Sequence, residues 1–346
     1  MSIRHVRSRA PLRISLAGGG TDIENFSNKN NGAVINIAIS KYAFCDIKSS
    51  ENGFIAEVSD LNKTAYFDID SKNIFKNKIP INFSLNWNTY KYVMERYNNN
   101  EYLPFKVITY CDSPVGSGLG SSSALVVSML KGWNEILNLG LDEYKIAQNA
   151  IFIERKICNF AGGKQDQYSA SFGGINFIEF TKEIDIVHPL KIKTWFKCEL
   201  ESSLILHYTG VSRESNKIIN DQINFISEIK SNNLKILNKL RDNAYEMKNA
   251  LLTHASSKII DILNNSRELK SKTSNKIESD LIKDRIDYAY KYGANAAKVS
   301  GAGGGGFILF FINPEKAIFL RDKLRELNEN TFLVKFCEHS SQSWTI

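Results

Sequence analysis

Short apolar, β-branched runs separated by turn residues fill the first third of the chain and predict strands. They lie at residues 12–17, 33–39, 42–49, 54–59 and 105–111. Two longer stretches follow. Residues 123–137 are apolar on nearly every side, which predicts a buried helix, and residues 142–157 read as a second helix with acidic residues at its start. A further strand is predicted at residues 175–180.

The pattern changes after that strand. From about residue 203 a strand, LILHYTG, leads into long helical segments rich in lysine and asparagine that span about 214–292. A strand at 307–312, a helix at 314–328 and a strand at 332–336 complete the chain. This order predicts an α+β fold with helices stacked on a sheet. We place the boundary near 180–200, which divides the chain into an N-terminal domain, 1–190, and a C-terminal domain, 191–346.

Composition narrows the class of protein. The formal net charge is +7, yet lysine and arginine are scattered with no long basic run, so we expect no nucleic-acid partner, and an anionic small molecule fits the charge. The five cysteines are far apart and odd in number, which supports neither disulfides nor a metal site. No signal peptide or membrane span is recognisable. We therefore expect a cytoplasmic protein without a membrane partner, and leave a homo-oligomer open.

Three glycine-rich stretches carry the candidate chemistry: RAPLRISLAGGGTD at 9–22, SPVGSGLGSSSA at 113–124 and KVSGAGGGGF at 298–307. Runs of glycine cost backbone entropy, and close approach of a ligand is a common reason for them. The central stretch joins a strand to a helix, where free amides and the helix dipole suit phosphate. It is not a P-loop, because no lysine follows Gly120, and Ser121 excludes a dinucleotide fingerprint. A phosphate cradle and a plain turn into a helix both fit.

In this order the stretches resemble the three motifs of the small-molecule kinases that include galactokinase, homoserine kinase, mevalonate kinase and phosphomevalonate kinase, the GHMP kinases. The central motif of that family is Pro, three residues and Gly-Leu-Gly-Ser-Ser. The resemblance implies ATP-dependent phosphorylation of a hydroxyl between an N-terminal ribosomal-protein-S5-like domain and a ferredoxin-like C-terminal domain. The residues implied to bind ATP are Pro114, Gly116, Gly118, Leu119, Gly120, Ser121, Ser122 and Ser123.

The resemblance also implies the acidic residues of the reaction. Ser122 and Glu154 would hold Mg²⁺, and Asp166 would face the substrate hydroxyl. Hard oxygen ligands suit Mg²⁺, which takes few protein ligands, and phosphoryl transfer depends on positioning and charge neutralisation. Arg13 matches the family position of a cation beside the transferred phosphoryl group. Without the resemblance, Glu154 also fits a helix-end surface charge and Arg13 a strand-edge arginine.

The first motif indicates the kind of sugar. Galactokinase-like members carry Gly-Glu-His-x-Asp, whereas here only Asp22 follows glycines and a threonine, which argues against galactose. RISLAGGGTD, GKQDQY and YTGVSR look most like the bacterial kinases that phosphorylate the anomeric hydroxyl of D-glycero-D-manno-heptose 7-phosphate for surface polysaccharide synthesis. Fucose kinases are similar too. The candidate substrate residues are Gly19, Gly20, Thr21, Asp22, Lys164, Arg213, Gly303 and Gly304.

Some alternatives stay open. A substrate that already carries a phosphate needs a second anion pocket, and Arg213 fits either that role or a surface position at a helix start. Lys164 fits either a phosphate contact or the cap of a turn. The protein could also phosphorylate another sugar such as fucose, or bind sugar and ATP as a regulator without turnover. The helical segment 214–292 fits either a scaffold or a lid.

Overall fold

The computed structural model describes residues 5–70, 78–114, 116–211, 215–228 and 231–346. The strands are β1 (His5–Ala17), β2 (Gly32–Ser49), β3 (Phe54–Val58), β4 (Lys63–Phe67), β5 (Phe105–Cys111), β6 (Ile175–Phe180), β7 (Asp185–Pro189), β8 (Leu204–Tyr208), β9 (Ala294–Val299), β10 (Phe307–Ile312), β11 (Thr331–Leu333) and β12 (Gln342–Thr345). The helices are α1 (Glu24–Asn30), α2 (Ser84–Tyr97), α3 (Ser121–Ile136), α4 (Glu143–Phe152), α5 (Gln165–Phe172), α6 (Thr194–Ser203), α7 (Ser215–Ser227), α8 (Ser231–Leu252), α9 (Ser256–Ser271), α10 (Asp280–Lys291) and α11 (Pro314–Arg325).

The first sheet is built around β2, which is 18 residues long. β1 pairs antiparallel along one side of it. On the other side β6 pairs with its first half and β5 with its second half, so the sheet forks there into β6–β7 and β5–β3–β4. The prediction of two strands at 33–39 and 42–49 is wrong, because β2 continues through Ser40 and Lys41. The pairing with β1 shifts register at that point, between Pro11 and Leu12.

The predicted buried helix is confirmed as α3. It packs on β1 and β2, and its long apolar side chains are almost fully buried, Trp133 among them. The predicted helix at 142–157 is shorter than expected. α4 ends at Phe152, and the chain continues through a π-helical turn at Ile153–Ile157 before α5 begins at Gln165. π-helical turns often occur at functional sites, and this one carries Glu154.

The second sheet has four antiparallel strands in the order β11–β8–β10–β9, with α11 connecting β10 to β11. In chain order this is 4-1-3-2, the arrangement of a ferredoxin-like domain, so that prediction is confirmed. One face, including Ile308 and Phe310, packs with α10 and α11. The other face, including Phe307 and Leu309, joins the core shared with the first sheet. Alternating burial of β10 on both faces explains its unbroken apolar sequence.

The helical segment after β8 connects the two sheets. α8 packs on β1 and β2 and also against α9, and α9 packs on β9. These two helices therefore form a scaffold between the sheets, whereas both alternatives stay open for α7, the first helix of the segment. In the part of the chain that the structure describes, no helix combines the length and apolar character needed to span a bilayer.

The end of the chain returns to the first sheet. β12 pairs antiparallel with β1, with Arg9 opposite Gln342. The side chain of Gln342 accepts hydrogen bonds from the Arg9 guanidinium at 2.8 and 3.0 Å. The predicted boundary at residue 190 would place β12 in the C-terminal domain. Its hydrogen bonds, however, are made to β1 in the N-terminal domain.

Candidate active site

A cavity of about 610 Å³ lies where the three glycine-rich stretches meet. The first stretch contributes Gly20 and Asp22, and the third contributes Gly301 and Ala302. The central stretch and the start of α3 contribute Gly116, Gly118, Gly120, Ser121, Ser122 and Ser123. Residues that are nearly 300 positions apart therefore line one site, as the motif order predicts.

Several of the glycines allow these loops to approach each other. Gly118 has a φ of +80°, and a Cβ there would lie 2.6 Å from the carbonyl oxygen of Ser300. A Cβ on Gly301 would lie 2.6 Å from the Cα of Gly118. The backbone amide of Phe307 donates to the carbonyl of Ser117 at 2.9 Å. The central and third stretches thus pack backbone against backbone. At Gly118 and Gly301 the absence of a side chain therefore makes room for another loop of the protein, and no ligand is needed to explain it.

Gly120 has a different neighbour. It has a φ of +77° immediately before α3, and a Cβ there would lie 3.3 Å from Cγ of Asp166. The amide of Ala124 is the first of the helix to reach a carbonyl, that of Gly120, at 2.9 Å. The preceding amides of a helix have no acceptor in the helix itself. They border the cavity here, which is the arrangement that suits a phosphate.

Asp166 stands in the first turn of α5 and is held by Arg13 from β1. Nε and Nη2 of Arg13 lie 2.8 and 2.6 Å from Oδ1 of the carboxylate, and Nη1 donates to the carbonyl of Gly118 at 2.8 Å. Both side chains line the cavity. Among the residues with described positions, none donates a hydrogen bond to Oδ2. One oxygen is therefore fixed and the other is free to accept a proton from a bound hydroxyl.

Glu154 and Ser122 are in contact, as the metal hypothesis requires. The hydroxyl of Ser122 donates to Oε1 of Glu154 at 2.9 Å, and the amide of Gln167 donates to Oε2. Glu154 is only 1% exposed, and the guanidinium of Arg155 is 3.9 Å from Oε1. In the described ranges no three His, Cys, Asp or Glu side chains are placed to hold a metal ion. A hydroxyl and a carboxylate fit Mg²⁺, which takes few protein ligands and binds nucleotide phosphates as well.

Asp22 lines the cavity, but its carboxylate is already engaged. Oδ1 accepts from the amide of Gly20 and the side chain of Gln165, and Oδ2 accepts from the backbone amide of Gln165, each at 3.1 Å. A Cβ on Gly163 would lie 1.9 Å from Oδ2. Asp22 therefore fixes the first glycine loop to the beginning of α5. Its predicted contact with sugar hydroxyls stays a prediction.

Other predicted substrate residues point elsewhere. The ammonium of Lys164 forms an ion pair with Asp185 at 2.6 Å, and the hydroxyl of Thr21 donates to the carbonyl of Gly18 at 2.8 Å. Gly303 packs against Ile277 and Gly304 against Ile218. Of the predicted substrate residues, Thr21, Lys164, Gly303 and Gly304 do not line the cavity, and of the predicted ATP-binding residues, Pro114 and Leu119 do not. Gly19 lies beside Lys270. Arg213 lies outside the described residues.

Two lysines of the second domain were missed. Lys270, at the end of α9, lines the cavity, and its ammonium donates to the carbonyl of Gly301. Burial and the charge of Arg13 lower the pKa of Lys270 to about 8, although Asp22 and Asp166 act in the opposite direction. Burial, Lys270 and Arg13 lower the pKa of Lys298 well below its usual value. Lys270 continues the buried positions of α9, Ile259, Ile262, Leu263, Ser266 and Leu269, and that periodicity is the signal that could have found it.

The far end of the cavity is mostly apolar. Val58, Leu61, Ile81, Leu85 and Met129 line it, together with polar side chains that include Asn82, Asn86, Thr109 and Ser113. The carboxylate of Asp60 also lines this end and accepts a hydrogen bond from the backbone amide of Cys111 at 3.0 Å. The cavity therefore has a charged end beside Asp166 and Lys270 and an apolar end beyond the start of α3. Such a division is typical of sites that bind a molecule with both a flat apolar part and a charged part.

Comparison with known proteins agrees with this architecture. The family model of the GHMP kinases N terminal domain matches residues 84–174, and the model of the GHMP kinases C terminal domain matches residues 247–330. The chain belongs to the GHMP kinases, a family of phosphotransferases that use ATP.

Among its relatives, a D-glycero-alpha-D-manno-heptose 7-phosphate kinase of Campylobacter jejuni is 37% identical over 349 residues, covering 99% of this chain and all of the relative. A crystal structure of a D-glycero-D-manno-heptose 1-phosphate kinase from Bacteroides thetaiotaomicron has a TM-score of 0.80 at 33% identity, covering 99% of both chains. An L-fucokinase/L-fucose-1-P guanylyltransferase of Bacteroides fragilis is 24% identical over 93% of this chain and 36% of its own length.

Proposed function

We propose that the protein is an ATP-dependent sugar kinase that phosphorylates the anomeric hydroxyl of D-glycero-D-manno-heptose 7-phosphate to give the 1,7-bisphosphate. The observation that carries the proposal is Asp166, held by Arg13 with one carboxylate oxygen free, at the wall of a cavity that begins at the N-terminus of α3. The full-length relative that acts on a heptose 7-phosphate supports the choice of substrate. The product would feed the synthesis of nucleotide-activated heptose for surface polysaccharide.

The nucleotide would lie along the wall formed by the central glycine stretch. Its phosphates would meet the free amides of Ser121, Ser122 and Ser123 at the positive end of α3. The adenine would occupy the apolar end, between Leu61 and Leu85. This orientation directs the terminal phosphate toward Asp166, because the charged end of the cavity lies on that side.

In the reaction, the oxygen of the anomeric hydroxyl forms a bond to the terminal phosphorus of ATP while the bond from that phosphorus to the bridging oxygen breaks and ADP leaves. The hydroxyl proton passes to the free Oδ2 of Asp166. Arg13 holds the carboxylate in place and places positive charge beside the transferring oxygens. Ser122 and Glu154 would hold Mg²⁺, which neutralises phosphate charge when bound.

A panel of acceptors tests the function. Purified protein is supplied with ATP, Mg²⁺ and one acceptor at a time: heptose 7-phosphate, heptose 1-phosphate, unphosphorylated heptose, fucose or galactose. ADP release is followed by a coupled assay, and phosphorus NMR identifies the position of the new phosphate. We expect release with heptose 7-phosphate and a product with an anomeric phosphate, and no release by the Asp166→Asn variant above about 1% of the native rate.

Other results would overturn parts of the proposal. Phosphorylation of fucose alone would keep the kinase and replace its substrate. Phosphorylation of heptose 1-phosphate alone would keep the sugar and change the acceptor position. If ATP and the sugar phosphate bind in calorimetry but no acceptor yields ADP, the protein is a regulator and the catalytic assignment of Asp166 fails.

A further inference from the structure

Positive side chains outnumber carboxylates around the charged end of the cavity, where Lys298 lies behind the lining residues. Arg13, Lys270 and Lys298 are 4%, 8% and 4% exposed, and the carboxylates beside them are Asp22 and Asp166. Arg13 is paired with Asp166, and all three hydrogen bonds of Asp22 come from Gly20 and Gln165. Neither lysine has an ion-pair partner within 4 Å in the part of the chain with described positions.

The ammonium of Lys270 lies under the first glycine loop. Nζ is 3.7 Å from the point that a Cβ of Gly19 would occupy, and Oγ of Ser15 is also 3.7 Å from it. The side-chain nitrogen of Gln165 is 3.9 Å away from the same point. Oγ of Ser15 and Oε1 of Gln165 are buried without a hydrogen-bond partner among the described residues. Buried polar atoms normally have partners, so both atoms indicate a ligand or ordered water. The Ser15 hydroxyl can donate to a phosphate oxygen, whereas Oε1 of Gln165 accepts and needs a hydroxyl or a water as its partner.

A buried ammonium without a counter-charge is costly, because the charge has left water without an ion pair in return. The contrast with Lys164 is informative. Lys164 is 8% exposed as well, but its ammonium is 2.6 Å from Asp185 and its charge is compensated within the protein. The positive charge of Lys270 is only partly balanced, and it borders the cavity in which the substrates would bind.

We propose that Lys270 is a binding residue for a phosphoryl group of the bound substrates, and that Lys298 on β9 adds positive potential behind it. The phosphate of the sugar and the terminal phosphate of ATP have the same chemistry, and either can supply the oxygens. The inference rests on the proposed function only for the identity of that phosphate. The charged groups that face Lys270 are Arg13 on β1, Asp22 on the first loop, Asp166 on α5 and Lys298 on β9.

Binding should be linked to proton uptake. With a pKa of about 8, Lys270 is about half neutral at pH 8 in the free protein, and an anion beside it favours the ammonium. A phosphate monoester has its second pKa near 6, so above pH 7.5 the ligand is already a dianion and does not contribute to the change. Between pH 7.5 and 9.5 the proton count therefore reports the protein.

Isothermal titration calorimetry tests the inference on the full chain. Heptose 7-phosphate, unphosphorylated heptose, ADP and a non-hydrolysable ATP analogue are each titrated at pH 7.5 and 9.0, in two buffers of different ionisation enthalpy. The variant is Lys270→Met, and its matched control is Lys272→Met. Lys272 has a half-exposed side chain and pairs with Glu268 at 2.7 Å on the helix surface.

We expect Lys270→Met to weaken one phosphorylated ligand about 10- to 100-fold at pH 7.5, the range of a hydrogen bond to a charged group. Proton uptake should fall below that of the native protein, with any remainder due to Lys298, whose pKa is lowered as well. Lys272→Met should change neither. Loss confined to heptose 7-phosphate, with unphosphorylated heptose unaffected, assigns the phosphate of the sugar. Loss confined to the ATP analogue, with ADP unaffected, assigns the terminal phosphate. Native affinity and native proton uptake in Lys270→Met would overturn the proposal.

Two further results keep the test decisive. Thermal melting should show a folded Lys270→Met protein, because the change removes a buried charge. If it does not fold, Lys270→Arg retains the charge, so phosphate affinity should persist at pH 9.0 with less proton uptake than in the native protein. Proton uptake identical to that of the native protein would overturn the proposal. If the native protein phosphorylates the sugar but Lys270→Met binds every ligand normally, only this inference is refuted. If binding of the ATP analogue depends on Lys270 but no acceptor is phosphorylated, only the proposed function is refuted.

Discussion

Replacing Gly120 with alanine tests whether the turn before α3 positions Asp166. Gly120 has a φ of +77°, and an alanine in that left-handed conformation costs about 1–2 kcal/mol. The new methyl would lie 3.3 Å from Cγ and 3.4 Å from Oδ2 of Asp166, so the carboxylate would have to move by a few tenths of an ångström. The nearest atoms belong to Asp166, the proposed proton acceptor, so we expect the reaction rate to fall along with the stability.

The size of the effect follows from the displacement. A misplacement of about 1 Å can cost about 100-fold in rate, so a shift of a few tenths of that corresponds to about 3- to 10-fold in kcat. The free energy of unfolding should fall by about 1–2 kcal/mol from backbone strain alone. The Kd for ATP should change little, because the methyl faces Asp166.

Gly140 provides the matched control. It lies in the connection between α3 and α4 with a φ of +65°, and a Cβ there would have no neighbour within 4 Å. Gly140→Ala should therefore show the same strain and keep the native kcat. Denaturant unfolding gives the two free energies, and ADP release at saturating ATP and acceptor gives the two rates. Equal kcat values for two folded variants would refute the positioning argument, and a raised Kd for ATP in Gly120→Ala would show that the methyl meets the nucleotide.

Three other variants test separate parts of the site. Asp166→Asn should keep the fold and ATP binding but lower kcat by about 100-fold or more, measured by ADP release, and a native kcat would remove Asp166 from the mechanism. Glu154→Gln should raise the Mg²⁺ concentration that gives half-maximal activity, because it removes a hard anionic ligand, and an unchanged Mg²⁺ titration would place the metal elsewhere. Lys270→Met should be more stable than the native protein at pH 7. The folded pKa of Lys270 is about 8 against an ordinary 10.5, so the unfolded native chain binds more protons between these values and native stability rises with pH across that window. The difference between the two unfolding free energies should therefore shrink from pH 8 to pH 10, and a constant difference would contradict the assignment.

Elements with a strong apolar period were predictable, and elements held by distant contacts were not. α3 and β10 were recognised because their apolar residues are continuous and buried. α2 was missed because its sequence, SLNWNTYKYVMERY, has a weak apolar face. Its stability comes from aromatic contacts across the chain, with Tyr90 stacked on Phe54 at 4.0 Å between ring centroids and Trp87 on Phe67 at 4.7 Å. Trp87, Tyr90, Val93 and Met94 do recur at helical spacing, but Asn86 and Thr89 are buried beside them and weaken the apolar pattern.

The site divides in the same way. Arg13, Ser122, Glu154 and Asp166 were located through the family motifs, and the structure brings them to one cavity. Lys164 fits a phosphate contact in the sequence, but the structure pairs it with Asp185, which lies on β7 and is distant from the motif. Lys270 was hidden in a lysine-rich helix that reads as surface. The helical spacing of the buried positions of α9 marks Lys270 as inward-facing, and the position of α9 between the sheets shows that it faces the cavity.

The helices that join the two sheets fix the positions of Lys270 and Arg13 relative to each other. Arg13 belongs to β1 of the first sheet, whereas Lys270 ends a helix that packs on β9 of the second. Two like charges buried in one cavity repel each other, so their separation has to be fixed by the fold. α8 packs on β1 and β2 and also on α9, which gives Arg13 and Lys270 a common rigid support. The carbonyl of Gly301 then accepts from Lys270, while Gly301 itself packs on Gly118, whose carbonyl accepts from Arg13. The glycine contact between the loops therefore connects the supports of the two cations, and the absence of side chains at Gly118 and Gly301 is needed for the charge arrangement of the site as well as for its shape.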